Sequence, residues 1–394
     1  MAERPNPREL FHRVMTFSAP GTTLATLGGI WPSTKDRWIA EGMPPELADI
    51  SKMWEYFGLD PHLWAQPEVE LLVYPRFEKR ILAETEDKVT YVSDMGVTCT
   101  EFTTDAYKSM PHFEAFPIQG RADWAGFKER LVWTPERVGE AWERQKAGWE
   151  GRTAPLMVAL NRAASLYGTL RDLCGMERLS YLFYDDRALV EEMMDTMLAL
   201  FLPLCDALFG DPPPGSAGFQ ACVSSASDLA GLEACATPFV PDAVCLWEDM
   251  AYKTGSLLSV RHVREMMLPR YEVMVAKLRE KGIPFIFLDS DGQIGELIPV
   301  WLEAGIDGLV PMEANSGMDV AACREQYPRL LMMGGVDKRA LHFGRAAIDH
   351  EIDKIRRTIA SGGLVPFYDH GLPHDASYEN FLYFVEQLKE VTGR

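Results

Sequence analysis

The chain lacks several features that would define its class at once. It has seven cysteines among 394 residues, and no two of them form a CxxC pair. An odd number of cysteines without such pairs argues against a disulfide framework or a cysteine-rich zinc knuckle. We therefore expect the cysteines to be small core residues of a protein in the reducing cytoplasm.

Positive charge and long apolar runs are also scarce. There are 39 Lys and Arg against 58 Asp and Glu, a formal net charge of −19. This balance argues against nucleic acid as a partner, because phosphate binding needs clustered basic residues. The apolar run 197–205 contains Pro203 and is too short to span a bilayer. Residues 1–15 have no apolar stretch typical of a signal peptide. We expect no membrane partner.

Short apolar strands alternate with amphipathic helical segments through the second half of the chain. The strands are predicted within residues 242–250, 283–291, 306–314, 329–337 and 363–371. Such alternation predicts βα units and a parallel sheet. Because the strands are almost continuously apolar, we expect both faces of the sheet to be buried.

Each of these strands ends in polar residues, and two earlier segments, 24–31 and 154–161, share this pattern. The C-terminal strand ends form the catalytic face of a TIM barrel. A doubly wound sheet would show the same alternation, but no glycine-rich dinucleotide fingerprint follows an early strand. We therefore predict an α/β fold, a TIM (β/α)8-type barrel with N-terminal additions, as a single domain over residues 1–394.

Two segments break the pattern. Residues 69–105 alternate apolar and polar side chains and predict a small antiparallel hairpin beside the barrel. Residues 209–241 are rich in Pro, Gly, Ser and Ala. They predict an inserted loop or lid over the barrel mouth, or alternatively a barrel strand that ends near Asp228.

The polar residues at the strand ends would meet on one rim of a barrel. They are Asn161, Glu248, Asp249, Asp289, Asp291, Glu313, Asp337, Asp369 and His370. Asp289 and Asp291 point the same way along their strand and would repel each other unless a cation lies between them. Carboxylates with one imidazole suit Zn, Fe or Mn. We predict a divalent metal held by four residues: Asp289, Asp291, Glu313 and His370.

A metal-free polar pocket stays open as an alternative. A single Asp at a strand end is more often a helix N-cap than a ligand. Asp291 precedes Gly292 and could simply form a turn. Asp337 stands beside Lys338 and Arg339, which favours an ion pair or a cap over a role in a site.

The segment 247–255, WEDMAYKTG, supplies the catalytic candidates. Glu248 and Asp249 face opposite ways if the strand continues, so one of them reaches the pocket. Tyr252 and Lys253 could donate hydrogen bonds to a substrate oxygen. A turn held by salt bridges would explain the same residues without chemistry.

Four stretches resemble the uroporphyrinogen decarboxylase-like superfamily, nearest its branch of corrinoid-dependent methyltransferases. They are WEDMAYKTGSLLS, LDSDGQIGELIPVWLEAGIDGLVPME, MGGVDKRAL and DHGLPHDASYENFLYFVEQL. The resemblance extends over most of the chain apart from about residues 209–241. It implies a TIM barrel, in agreement with the reading of the strands.

The sequence departs from this superfamily in two places. The arginine-rich N-terminal stretch of true uroporphyrinogen decarboxylases is replaced by LGGIWPSTKDRW, which does not favour a polyanionic porphyrinogen. Coenzyme M methyltransferases of the superfamily bind zinc through His-x-Cys and a later Cys. Asp289 and Asp291 fall on the first motif, His370 falls at or next to the last Cys, and Glu313 falls near a carboxylate beside the zinc.

The resemblance implies an enzyme, a zinc-dependent methyltransferase like the O-demethylase components that cleave a methoxyl group. The methyl group would pass to a corrinoid on a separate protein, and Trp31, Tyr252 and residues 209–241 would line an aromatic pocket for a methoxylated substrate. Asn161 and Asp228 are the further substrate-binding candidates. Two alternatives remain: a metal-assisted decarboxylase or other lyase on a small acid, and a non-catalytic binding protein. A homodimer is one state that the sequence allows.

Overall fold

A parallel β-sheet forms the centre of the molecule in the computed structural model, which describes residues 4–103, 110–210 and 239–394. In chain order the strands are β1 (Leu63–Ala65), β2 (Arg80–Glu84), β3 (Lys88–Val92), β4 (Thr98–Phe102), β5 (His112–Ala115), β6 (Leu156–Asn161), β7 (Ala243–Trp247), β8 (Ala251–Tyr252), β9 (Gly255–Ser256), β10 (Phe285–Asp289), β11 (Gly308–Val310), β12 (Leu331–Met333) and β13 (Leu364–Val365). Seven of them form the parallel sheet in the order β1-β6-β7-β10-β11-β12-β13.

Helices follow most of the parallel strands. They are α1 (Pro7–Met15), α2 (Pro32–Ala40), α3 (Ile50–Phe57), α4 (Arg121–Phe127), α5 (Glu140–Ala147), α6 (Tyr167–Cys174), α7 (Met176–Asp185), α8 (Arg187–Phe209), α9 (Val260–His262), α10 (Leu268–Glu280), α11 (Ile298–Glu303), α12 (Val320–Gln326), α13 (Ala340–Phe343), α14 (Arg345–Ile359) and α15 (Tyr378–Thr392). No helix of the described residues is long and apolar enough to cross a membrane.

The two faces of the parallel sheet pack into separate apolar clusters. Along β10, Phe285 and Phe287 belong to a small cluster on one face, which also contains Phe11 and Val14 of α1. The alternate residues of the strand belong to the large cluster beneath the surrounding helices. Burial on both faces explains why the strands are apolar throughout. One face of the sheet therefore packs against α1, which lies at the N-terminal ends of the strands, and the other face carries the surrounding helices.

An ion-pair network fixes α1 to the beginning of β7. The carboxylate of Asp242, only 1% exposed, accepts hydrogen bonds from Arg8 and His12 at 2.7 Å each. It also accepts from Arg152 at 3.1 Å and from the backbone N–H of Leu156 at 2.9 Å. Burial would raise the pKa of Asp242, but the hydrogen bond from His12 and the nearby positive charges outweigh it and hold that pKa well below its usual range.

The prediction of an α/β fold with a parallel sheet and a separate antiparallel sheet is confirmed. The ladders of the described residues form a curled seven-stranded half-barrel. The antiparallel sheet has the order β2-β3-β4-β5 and spans residues 80–115, whereas the sequence placed a hairpin within residues 69–105.

Residues 211–238 lie outside the described part of the chain, and with them Asp228 and nearly all of the predicted lid at 209–241. The next residues along the chain are well packed. Phe239 contacts Trp142 and Trp149, with ring centroids 5.5 and 5.6 Å apart. Asp242 follows immediately, at the N-terminal end of the parallel strands.

We predict that Asp242→Asn lowers the free energy of unfolding by about 3 kcal/mol, because it leaves buried cations without a counter-charge. The loss is greatest at neutral pH and narrows as the pH falls below about 4, where the carboxyl group of the unfolded wild-type chain is itself protonated. Urea denaturation across pH measures both effects. The control is Asp195→Asn, which breaks a pair whose carboxylate is 63% exposed and should cost less than about 1 kcal/mol. An equal loss in both variants would contradict the prediction.

Candidate metal centre

Strained backbone marks the C-terminal ends of the parallel strands. Three non-glycine residues there have positive φ: Asn161 at 45°, Asp249 at 48° and Met312 at 56°. They belong to the ends of β6, β7 and β11 or to the residues just beyond. Such conformations each cost about 1–3 kcal/mol and concentrate at functional sites. The strain therefore coincides with the rim that the sequence marks with polar residues.

Three of the predicted ligands meet at this end of the sheet. Ligand atoms of Asp291, Glu313 and His370 all lie within 4.8 Å of one another. His370 Nε2 lies 3.0 Å from Asp291 Oδ1, and Glu313 Oε2 accepts a hydrogen bond from the backbone N–H of Gly292 at 2.7 Å. All three side chains are partly exposed to solvent, so a ligand can reach them.

The donor set fits a divalent ion. Two carboxylates and one imidazole are ligands that Zn²⁺ accepts, and three protein ligands leave a position open for substrate. The ring nitrogen that faces the carboxylates is Nε2, 3.0 Å from Asp291 Oδ1, while Nδ1 is buried without a hydrogen-bond partner. The nearest carboxylate oxygen, Asp369 Oδ1, is 3.9 Å away, too far for a hydrogen bond.

Asp369 is buried and joins the loops around the centre. Its Oδ2 accepts from the backbone N–H of Ala314 at 3.0 Å, and its Oδ1 accepts from the backbone N–H of Lys338 at 3.4 Å. These loops follow β11 and β12, while Asp369 follows β13. Asp369 therefore holds three strand ends together and positions its neighbour His370.

Asp289, predicted as a fourth ligand, lies outside the three-residue cluster. It is the last residue of β10, on the same face as Phe285 and Phe287. Burial, together with the charges of Asp291 and Asp249, raises the pKa of Asp289 to about 8. At neutral pH Asp289 is therefore mostly protonated in the absence of a metal. Protonation relieves the repulsion that the Asp289–Asp291 pair would otherwise suffer.

Glu248 and Asp249 turn in different directions, as the alternation of the strand predicts. Glu248 is fully buried and accepts from the backbone N–H groups of Leu166, Tyr167 and Gly168 at 2.8–3.0 Å. The hydroxyl of Tyr271 donates to it as well, at 2.7 Å. This carboxylate binds the N-terminus of α6, where the helix dipole favours negative charge. In the structure Glu248 thus orients a helix, and its predicted catalytic role stays a prediction.

Asp249 is held by Arg171 of α6. The Arg171 guanidinium lies 2.8 Å from Asp249 Oδ2 and donates to the Asp249 backbone carbonyl at 2.7 Å. Burial raises the pKa of Asp249 although Arg171 opposes the shift. The same guanidinium lies 5.7 Å from the ring of Trp247. Arg171 thereby fixes a residue with strained backbone beside Asp289 and Asp291.

Two exposed aromatic residues flank the cluster. Tyr252, 66% exposed, lies in the β8–β9 hairpin, and its carbonyl accepts from the backbone N–H of Gln293 at 2.8 Å. Trp31, 52% exposed, packs against Gly371, where a Cβ atom would come within 2.6 Å of its indole ring. Lys253 is exposed next to Tyr252. These placements put Trp31 beside His370 and Tyr252 beside the Asp291 loop.

A cavity of about 590 Å³ adjoins the end of β6. Its wall consists of residues 66–73 together with Arg76, Asp94, Met95, Arg137, Asn161 and Arg162. Arg76 pairs with Glu70 at 2.7 Å and with Asp94 at 3.0 Å, so the ionic groups of this wall largely neutralise one another. Asn161 lies at the end of β6 and in the wall of this cavity, whereas none of the three cluster residues lines it.

Comparisons with known proteins agree with this fold. The family model described as Uroporphyrinogen decarboxylase (URO-D) matches residues 241–391, which include β7, β10–β13 and the cluster. The predicted resemblance to the uroporphyrinogen decarboxylase-like superfamily is thus confirmed. No curated protein matches the chain.

Among solved structures, a methyltransferase from Methanosarcina mazei is similar with a TM-score of 0.57 at 14% identity, over 98% of this chain and 99% of that one. At this identity the likeness concerns the fold. A putative fructose-1,6-biphosphate aldolase from Coccidioides immitis matches over 63% of this chain and 84% of its own, at 15% identity and a TM-score of 0.24, too low to carry an argument.

Sequence reasoning missed Arg171 and gave Asp369 no role of its own. Arg171 occurs in a helical stretch with ordinary charges, and only the contact between α6 and the end of β7 reveals its partner. Asp369 was visible as a strand-end acid next to His370. Its burial, which separates it from the exposed ligands, requires the three-dimensional structure.

We predict that zinc binding at pH 7 releases about one proton, because the imidazole must lose its proton to act as a ligand. In the metal-free protein the hydrogen bond with Asp291 and the neighbouring Asp369 raise the pKa of His370 to about 10, although burial opposes this. Zinc affinity should therefore increase with pH between pH 6 and pH 9. Calorimetric titration in two buffers of different ionisation enthalpy counts the protons.

Two variants complete this measurement. His370→Gln should abolish the proton release and weaken zinc binding. His350→Gln, at an exposed position of α14, should leave both unchanged. Zinc binding without proton release in the wild-type protein would show that His370 is not a ligand.

Proposed function

We propose that the protein is a metal-dependent methyltransferase that moves a methyl group from a methoxylated, aromatic small molecule to a corrinoid on a separate protein. The observation that carries this proposal is the cluster of Asp291, Glu313 and His370 at the C-terminal strand ends, whose ligand atoms lie within 4.8 Å of one another. The resemblance supports the proposal, because it puts Asp291 on the His-x-Cys motif of the zinc-dependent methyltransferases, His370 at or next to their last Cys, and Glu313 near a carboxylate beside their zinc.

The proposed metal would be held by Asp291, Glu313 and His370. When bound there, a divalent ion supplies Lewis-acid polarisation of an ether oxygen. Asp369 keeps the ring of His370 in place through the backbone of the neighbouring loops. Gly292 fixes the Glu313 carboxylate through its N–H group. Neighbours of this kind orient the ligands and tune their basicity.

The reaction breaks the bond between the methyl carbon and the ether oxygen, which keeps the electron pair. Tyr252 and Lys253, in the exposed hairpin beside Gly292, are suited to donate hydrogen bonds to this developing oxyanion. The ion pair with Arg171 would hold the Asp249 carboxylate in place for a role at the site. Trp31 offers an aromatic surface next to His370, and Asn161 borders the cavity that could take the rest of the substrate.

The barrel would be a single domain over residues 1–394, in which residues 23–31 close the ring. Three contacts support this closure. Thr23 Oγ1 donates to the carbonyl of Leu364 at 2.6 Å, and Ile30 forms a parallel bridge with Leu372. On the other side, the backbone N–H of Ala25 donates to Asp60, just before β1, at 3.0 Å.

A cytoplasmic setting is part of the proposal. All five described cysteines, Cys99, Cys174, Cys205, Cys245 and Cys323, are buried and free, which suits the reducing compartment that a reduced corrinoid requires. The role of residues 209–241 as a lid and of Asp228 as a substrate contact remain proposals that rest on sequence.

A decarboxylase is the second candidate, favoured by the description of the family that matches residues 241–391. The same metal could polarise a carboxylate oxygen of a small acid. The two functions differ in one requirement, since a decarboxylase turns over alone and a methyltransferase needs a methyl acceptor. A binding protein would show neither activity.

We predict that zinc-loaded protein mixed with 4-methoxybenzoate and free cob(I)alamin forms 4-hydroxybenzoate while the cob(I)alamin absorbance is lost. His370→Gln should slow this reaction by at least roughly 100-fold, because loss of a ligand costs no less than loss of its supporting contacts. The exposed control His350→Gln should retain full activity. Chromatography of the phenol and visible spectroscopy follow both products. Demethylation without cobalamin, or release of carbon dioxide instead, would contradict the proposal.

A further inference from the structure

The strand β1 presents an exposed indole ring to the inner face of the sheet, the face that carries the small apolar cluster. Leu63 and Ala65 of β1 pack against the large cluster on the other face. Because side chains alternate along a strand, Trp64 between them points to the inner face. Trp64 is 38% exposed and is a member of neither cluster. Its indole ring therefore borders open space within the curl of the sheet.

His62 precedes Trp64 by two residues and also faces inward. Its ring stacks on Phe367 of the small cluster, with ring centroids 5.9 Å apart and 13° between the planes. The ring of Trp54 in α3 lies 5.8 Å away on a tilted plane. His62 Nδ1 lies 2.8 Å from Thr26 Oγ1. Two aromatic contacts and one hydrogen bond thus fix the position of the imidazole.

The hydrogen bond with Thr26 decides which nitrogen of His62 carries the proton. Thr26 is fully buried, and among the described residues its hydroxyl has no other hydrogen-bond partner. A buried hydroxyl needs an acceptor, so Thr26 donates and His62 Nδ1 accepts. Burial lowers the pKa of His62 to about 4, so the ring is neutral at pH 7. The single ring proton is therefore on Nε2.

This Nε2–H group is a donor without an acceptor. Nowhere in the described part of the chain does His62 Nε2 form a hydrogen bond. It is also not one of the fully buried polar atoms that lack a partner, so part of its surface is accessible. The wall of the 590 Å³ cavity begins at Gln66, two residues after Trp64, and includes Asn161 of the neighbouring β6. The cavity therefore adjoins the strand that carries the free donor and the exposed indole.

We propose that Trp64 and His62 form a subsite for the aromatic ring of the substrate and for a carbonyl oxygen attached to that ring. The substrate ring stacks on the indole of Trp64, and the oxygen accepts a hydrogen bond from His62 Nε2. A neutral N–H donor needs an acceptor but no opposite charge, so an uncharged carbonyl is sufficient. Both residues are thus specificity-determining. The inference rests on the proposed function only in taking this end of the sheet as the substrate site.

The test compares two aryl methyl ethers of one shape. 4-Methoxyacetophenone carries a carbonyl oxygen where 4-isopropenylanisole carries a CH₂ group. We expect the zinc-loaded protein to bind the ketone roughly three- to thirty-fold more tightly, because the alkene leaves Nε2–H without an acceptor. Equilibrium dialysis with chromatographic detection measures both dissociation constants without corrinoid.

Two variants and a control locate the source of this preference. His62→Phe keeps a ring against Phe367 but removes the donor, and should bring the two dissociation constants to within about twofold of each other. Trp64→Leu should weaken both ligands equally, by roughly three- to tenfold, and tests the same wall if His62→Phe does not fold. The control His112→Phe changes a 77% exposed side chain of β5 and should leave both constants as they are. Thermal unfolding checks that each variant is folded.

Four results would overturn the inference. They are a preference that persists in His62→Phe, an alkene that binds the wild-type protein as tightly as the ketone, unchanged affinities in Trp64→Leu, and no binding of either ligand at millimolar concentration. Methyl transfer to cob(I)alamin is a separate readout. If the preference depends on His62 but neither ether is demethylated, the proposed function fails and this inference stands. If both ethers are demethylated equally well, the proposed function stands and this inference fails.

Discussion

The C-terminal ends of the parallel strands bring several carboxylates together, and the fold must offset the repulsion between their negative charges. Asp249, Asp289 and Asp291 lie close enough that each raises the pKa of a neighbour or is raised by one. Arg171 offsets the charge of Asp249, and His370 offsets the charge of Asp291. Protonation removes the charge of Asp289. A divalent ion at the cluster would replace the proton of His370 as the positive charge beside Asp291 and release that proton. The candidate metal site, the carboxyl groups with raised pKa values and the strained backbone thus lie at the same strand ends.

Packing in the rest of the fold fixes the positions of these strand ends. The apolar strands pack against α1 on one face of the sheet and against the surrounding helices on the other face. This close packing restricts independent movement of the strand ends. Glu248 ties α6 to the end of β7, and α6 in turn carries Arg171. Asp369 ties together the loops after β11 and β12. Among the residues with strained backbone, Asp249 is held directly by Arg171.

The longer strands of the second half could be predicted because each is an apolar run that ends in polar residues. The same rule failed for β1, whose three residues stand between Pro61 and Pro67, and for β5, which is exposed along its whole length. Residues 24–31 look like a strand in sequence, yet in the structure they contribute a single bridge at Ile30. β1 and β5 owe their place to pairing with neighbouring strands, which a local pattern does not reveal.

The residues of the candidate site likewise fall into those that the sequence could identify and those that it could not. Asp291, Glu313 and His370 could be found because their types and strand-end positions are local properties. The separation of Asp289 from that group could not, since it depends on burial and on the turn at Gly292. Nor could the partner of Arg171, because it depends on which acid another element brings near.

The most direct measurement is anomalous X-ray scattering on crystals of the protein purified without added metal, with data collected on both sides of the zinc absorption edge. A divalent ion bound by Asp291, Glu313 and His370 gives an anomalous peak within about 2.0–2.2 Å of a carboxylate oxygen and a ring nitrogen. After soaking in zinc the peak should reach full occupancy. If zinc-soaked crystals show no peak there, with the three side chains ordered as described, the rim holds no metal and the proposed methyltransferase loses its Lewis acid.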